Sequence, residues 1–145
     1  MHFSTGCEYA VHSMFYLATR PKDEVVMVGD IARAQNIPES YLVKVFQQLS
    51  RAGLVNSYRG AKGGVSLAKE PSDITLKDIV EAVDGSNPLY VSLGFKRKCD
   101  AGALCLIRQT FDNAEKKLFE ELSCVSLEDL KQEAEKARDK FTWLN

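Results

Sequence analysis

Cys99 and Cys105 stand six positions apart in a stretch rich in glycine and charge, directly after Lys96, Arg97 and Lys98. Cations beside a thiol lower its pKa, and the thiolate is the form that ligates metal or attacks a disulfide. The pair can therefore hold a metal centre or close reversibly into a disulfide. A scaffold of structural disulfides is not expected. The N-terminus lacks a basic leader and is amphipathic from the start, and no stretch approaches the roughly 20 apolar residues of a membrane helix. The chain is accordingly read as cytoplasmic, where thiols stay reduced.

The remaining chemistry is sparse. Cys7 lies on an apolar stripe, so it reads equally as core or as a donor. Cys124 lies 19 residues beyond Cys105, roughly 28 Å along a continuous helix, and reads as a small buried hydrophobe. His12 follows Cys7 at i+5, which is not one helical face. With only His2 and His12, no phosphate-binding loop and no paired carboxylates beside a base, no catalytic constellation is visible. An enzyme is not expected.

The elements that must position these groups follow from periodicity. Phe3, Cys7, Ala10, Val11, Met14, Phe15 and Ala18 recur at helical spacing up to Thr19 and predict an amphipathic helix stopped near Pro21. A short helix around Asp30 to Ala34 follows. Asn36-Ile37-Pro38 then reads as a turn into a helix carrying Tyr41, Leu42, Val45, Phe46 and Leu49, with Gly53 at its end. Leu54 to Tyr58 and Val65 to Ala68 are short β-type runs around Arg59-Gly60-Ala61-Lys62-Gly63-Gly64, which predicts a hairpin. Thr75 and Asp78 predict a capping box for a helix through Val83, and Ser126 with Asp129 predicts another for a last helix running to Lys140. Between them Leu104, Ile107, Phe111, Ala114, Leu118 and Leu122 mark a long helix, whose stripe suits packing within the chain or a seam between two chains. The fold class expected is mostly α with one small β-hairpin. Helix, helix, turn, helix and hairpin is the order of a winged helix-turn-helix.

Charge agrees with that order once it is divided. The 145 residues are 27% charged with a net charge of −1, which alone would count against nucleic acid. Between residues 33 and 69, however, six basic residues face one acid, Glu39, a net of +5. Residues 112–140 carry nine acids and six bases, a net of −3. A basic head suits phosphate attraction, and an acidic half is kept off DNA. Ser40, Tyr41 and Lys44 would reach base edges or phosphates from the start of the recognition helix. Arg59, Gly60 and Lys62, with Gly63 and Gly64, would form a wing tip suited to a narrow minor groove; the alternative is that the glycines serve only the turn.

The same residues carry a resemblance. Tyr9-Ala10, Ser40-Tyr41-Leu42, Gly53-Leu54-Val55, Ser57, Arg59-Gly60, Gly63-Gly64, Leu67 and Ile79 to Asp84 strongly resemble the bacterial regulator family of IscR, NsrR and CymR, over residues 1 to about 130. The resemblance implies a DNA-binding transcriptional regulator, read as a repressor, that works as a homodimer on a roughly palindromic double-stranded operator. It assigns 1–84 to a DNA-binding domain, 85–104 to a cysteine-bearing sensor loop, and 105–145 to the dimerisation helix and a C-terminal helix. By position Ser40, Tyr41, Lys44 and Arg59 fall on DNA-contact positions, and Val43 departs from the iron–sulfur regulator's glutamate, so the operator does not transfer.

Cluster-binding members carry three cysteines in the loop, and here one is missing. Aligned on the last two, the first falls on Leu93 and a histidine ligand on Arg108; aligned on the first two, the third falls on Phe111. Glu8 occupies a first-helix position where some members ligate with a carboxylate, in one case across the dimer. A 2Fe-2S or 4Fe-4S iron–sulfur cluster on Cys99, Cys105, Glu8 and one more donor is the expectation. The alternative is a clusterless regulator using a Cys99–Cys105 disulfide or a protein partner. Either way, a change in the loop would move the long helix against the first and so reset the spacing of two reading heads.

Overall fold

A computed structural model describes residues 2–90 and 104–145. Helix α1, Thr5–Ala18, starts where Ser4 supplies a cap, its hydroxyl accepting the Cys7 N–H at 3.0 Å. It is the hub of the fold, in contact with four other helices and one strand. Gly6, Cys7, Ala10, Ser13, Met14 and Phe15 to Ala18 are all buried along it.

Helix α2, Val28–Gln35, is stopped by Asn36, which takes the left-handed conformation at φ 55°. The turn runs through Ile37 and Pro38 into α3, Glu39–Arg51, which buries Leu42, Val45, Phe46 and Leu49. Gly53 follows at φ 75°, as expected of a residue just past a helix end. Strands β1, Val55–Tyr58, and β2, Gly64–Leu67, pair antiparallel with Val55 opposite Leu67 and Tyr58 opposite Gly64.

The hairpin is not free-standing. Val26 and Val65 exchange backbone hydrogen bonds of 2.9 and 2.8 Å, pinning the wing to the segment ahead of α2. That close approach accounts for Gly64, because a Cβ there would overlap the Val26 carbonyl.

Helix α4, Leu76–Asp84, opens on the Thr75–Asp78 capping box and α6, Leu127–Lys136, on the Ser126–Asp129 box, both reciprocal as expected. The two helix starts are stitched together. Leu76 N–H donates to the Val125 carbonyl at 3.0 Å and Leu127 N–H to that of Ile74 at 2.9 Å. Helix α5, Leu106–Ser123, lies between them in sequence and contributes no buried residue.

The last helix ends at Lys136, short of the expected Lys140. Ala137 leaves helical geometry, and the chain closes in two 3₁₀ turns that lay Phe141 and Trp143 edge-on against Phe15 at 5.6 and 5.9 Å. Arg20 stacks on Tyr16 at 4.5 Å and donates to the Leu144 carbonyl at 2.7 Å. Burying two aromatic rings on α1 gains more than one further helical turn of charged residues would.

Leu127, Ala134 and Leu144 thus share one core with Met14, Ile31, Leu49 and Ile79. Leu127→Ala is expected to lower the unfolding free energy by about 2–5 kcal/mol while keeping a single transition in chemical denaturation. A loss below about 1 kcal/mol, or a split transition, would show that the C-terminal part is not integral to this core.

Candidate nucleic-acid interface and sensor residues

The outward side of α3 carries Ser40, Val43, Lys44, Gln47 and Arg51, all exposed. Ser40, Lys44, Gln47 and Arg51 follow at steps of four, three and four, so they form one stripe. Of these, sequence reasoning singled out Ser40 and Lys44 but not Gln47 or Arg51, although the helical step itself would have found them. Tyr41 is exposed but anchored: its ring meets Tyr9 of α1 edge-on at 5.5 Å, and a Cβ on Gly6 would sit 3.2 Å from its hydroxyl.

At the other end of the head, Arg59, Gly60, Ala61 and Lys62 are exposed at the tip of the hairpin. Gly60 has φ 95° with open space around it, and a Cβ on Gly63 would clash with the Tyr58 carbonyl. The tip glycines therefore have local conformational reasons of their own.

Among the described residues, no acid pairs with Lys44, Arg51, Arg59 or Lys62. Glu39, the one acid of this region, folds over Gly29 of α2, where a Cβ would lie 3.0 Å from its carboxylate. Four exposed cations without acidic partners give a surface suited to a polyanion.

The sensor residues are placed unequally. Cys7 is 3% exposed, and burial together with the Asp84 carboxylate pushes its thiol up to about 11. It is a core thiol, protonated at neutral pH. Asp84 accepts the Ser4 N–H at 2.9 Å and also the Ser4 hydroxyl, tying the end of α4 to the cap of α1.

Glu8 and His12 are exposed one turn apart on α1, on the side away from Cys7. His12 Nδ1 lies 2.9 Å from the Glu8 carbonyl, so Nδ1–H donates there and Nε2 is the other ring nitrogen. The i+5 step to Cys7 does not make one face, and the step of four to Glu8 does. Trp143 meets the imidazole edge-on at 5.8 Å.

Cys105 is half-buried at the N-terminal boundary of α5, and Cys99 lies outside the described residues. Cys124, expected to be buried, is exposed. It terminates α5 where the chain turns toward α6, and its thiol donates to the Glu120 carbonyl at 3.2 Å.

Helix α5 packs on α4 and leaves Leu104, Leu106, Ile107 and Phe111 exposed by 87, 75, 61 and 48%. Glu8 and His12 line a groove with Gln35, Ile37 and Trp143, and no residue of α5 contributes to it. Among the described residues, no group of three or more His, Cys, Asp or Glu is placed to hold a metal ion.

A helix-turn-helix backed by a pinned hairpin, with unpaired cations on both, defines a winged-helix DNA-binding regulator. The chain belongs to the Rrf2 family, described as an iron-dependent transcriptional regulator, whose model matches residues 3–133. A chain of Aquifex aeolicus named as an HTH-type transcriptional regulator is 33% identical over 132 residues, covering 90% of this chain and 91% of that one. Among solved structures, IscR of T. potens is 31% identical with a TM-score of 0.73, covering 94% of this chain and 90% of the other. CymR, the global cysteine regulator of B. subtilis, is 30% identical with a TM-score of 0.70, covering 91% and 97%. No helix among the described residues is long and apolar enough to cross a membrane.

The raised Cys7 pKa has a reactivity consequence. Below about pH 9 the native Cys7 thiol is expected to resist iodoacetamide while Cys124 reacts, with Cys7 labelling rising as the pH approaches 11. In Asp84→Ala that onset moves to lower pH. Mass spectrometry of labelled peptides that found Cys7 and Cys124 equally reactive at neutral pH would contradict this placement.

Proposed function

We propose that this chain is a homodimeric repressor whose affinity for a roughly palindromic operator is set by an iron–sulfur cluster, 2Fe-2S or 4Fe-4S, held by Cys99, Cys105, Glu8 and His12. DNA contact is assigned to Ser40, Tyr41 and Lys44 on the recognition helix and to Arg59, Gly60 and Lys62 on the wing. The reading rests above all on the Glu8–His12 pair: a carboxylate and an imidazole on one exposed helix turn, the imidazole oriented by the Nδ1–H bond to the Glu8 carbonyl.

These residues fit the group only in a shared arrangement. One protomer separates the oxygen and nitrogen donors on α1 from the thiol at the head of α5, so the two halves are proposed to come from different copies of the chain. Leu104, Leu106 and Ile107, exposed beside Cys105, are the surface that a second copy would cover. When bound, the cluster supplies redox- and ligand-sensitive iron, and its carboxylate and imidazole corner is more exchangeable than a thiolate one. Asp84 and Ser4 then hold α1 in place beneath the reading head, so that a change at Glu8 and His12 is felt where Tyr9 meets Tyr41.

A second reading has one observation in its favour: a Staphylococcus aureus CymR, 25% identical with a TM-score of 0.68, is described in an oxidized form. In that reading Cys99 and Cys105 form a disulfide and no metal is involved.

Anaerobic purification from iron-replete cells decides between them. The cluster reading expects a brown protein with iron, sulfide and visible absorption, lost in Cys99→Ala and shifted in Glu8→Ala and His12→Ala. A colourless protein that gives a Cys99–Cys105 disulfide on peroxide treatment would overturn the cluster and establish the thiol switch.

A further inference from the structure

The reading head carries three glutamines, and two are occupied. Gln35 Nε2 donates to the buried Ser13 hydroxyl at 2.6 Å, and Gln48 Nε2 to the Val83 carbonyl at 3.3 Å. Gln47 is exposed, and its amide has no partner among the described residues. It stands three positions after Lys44 and four before Arg51, on the same outward stripe.

That stripe is held rigidly. Leu42, Val45, Phe46 and Leu49 seat the opposite side of α3 in the core, and Gln48 pins the helix to the end of α4. An isolated surface glutamine is usually a solubilising residue. Gln47 differs in being the one uncommitted amide of the head's three glutamines, flanked by unpaired cations, on the second helix of a helix-turn-helix.

In the major groove, a glutamine amide matches adenine: its oxygen accepts from N6–H and its nitrogen donates to N7. Lysine and arginine on either side supply the phosphate contacts that fix register without reading sequence. We infer that Gln47 is a specificity-determining residue that reads an adenine in each operator half-site, with Arg51 as a phosphate contact at the far end of the same helix. The inference rests on the DNA-binding reading of this family member and adds the base that it reads.

The chemistry predicts its own exchange. A carboxylate at position 47 can only accept, so Gln47→Glu should prefer cytosine, whose N4–H donates, at the same place. Arg51→Ala should instead weaken all sequences alike and reduce the salt dependence of binding by about one phosphate contact.

The test is selection of duplexes from a random library by the full-length protein, followed by titration of the selected operator. The wild-type protein is expected to fix one A·T pair per half-site, with about tenfold weaker binding when it is changed to G·C or when the adenine carries carbon at position 7. Gln47→Ala should lose that preference and the sensitivity to 7-deaza-adenine while keeping the other positions, and Gln47→Glu should move it toward cytosine. Unchanged preferences in both variants would overturn the assignment. Failure of the wild-type protein to enrich any duplex would instead overturn the DNA-binding reading on which it stands.

Discussion

The carboxylate of Asp84 holds this molecule together at its most consequential point. It closes α4 and accepts two hydrogen bonds from Ser4, the residue that caps α1. Hydrogen bonds to a charged group contribute about 1.5–3 kcal/mol each, and this pair joins residues 80 positions apart. Because α1 touches α2, α3, α4, α6 and β2, fixing its first turn fixes the frame of the head. Tyr9 then sits under Tyr41, and Gln48 is drawn to Val83. It also places a carboxylate beside Cys7, which together with burial keeps that thiol protonated at neutral pH.

The division of charge follows faces more than segments. Residues 112–140 are acidic, yet Leu127 and Ala134 of α6 belong to the same core as the basic head, and α6 lies against α1. The cations of α3 and the hairpin tip remain unpaired, whereas Lys116 and Arg108 of α5 face acids one helical turn away. A net charge near zero thus conceals unpaired cations on the head, which suits approach to a polyanion there.

Much of the architecture was legible in the sequence because it is encoded locally. Both capping boxes, the Asn36 turn, the hairpin and the end of α3 near Gly53 each rest on residues within a few positions of one another. Interactions without a local signature were not legible. Val26 pairs with Val65 as a single bridge, too short to impose a period, and Ser4 meets Asp84 across most of the head. Phe141 and Trp143 dock through 3₁₀ turns that no helical stripe predicts. The place of Glu8 came from the resemblance alone, and the His12–Glu8 contact, one helical turn long, was not singled out although the spacing of four allows it. The burial expected of Cys124 failed because α5, the helix it ends, buries none of its residues.

The central claim is that the chemical state of Cys99 and Cys105, with Glu8 and His12, sets the affinity of the reading head. Operator binding followed by fluorescence anisotropy under anaerobic conditions, before and after removal of iron by a chelator, tests it most directly. The account predicts a change in Kd of tenfold or more, absent in Cys99→Ala, at fixed salt concentration. Equal affinity in both states of the wild-type protein would contradict it.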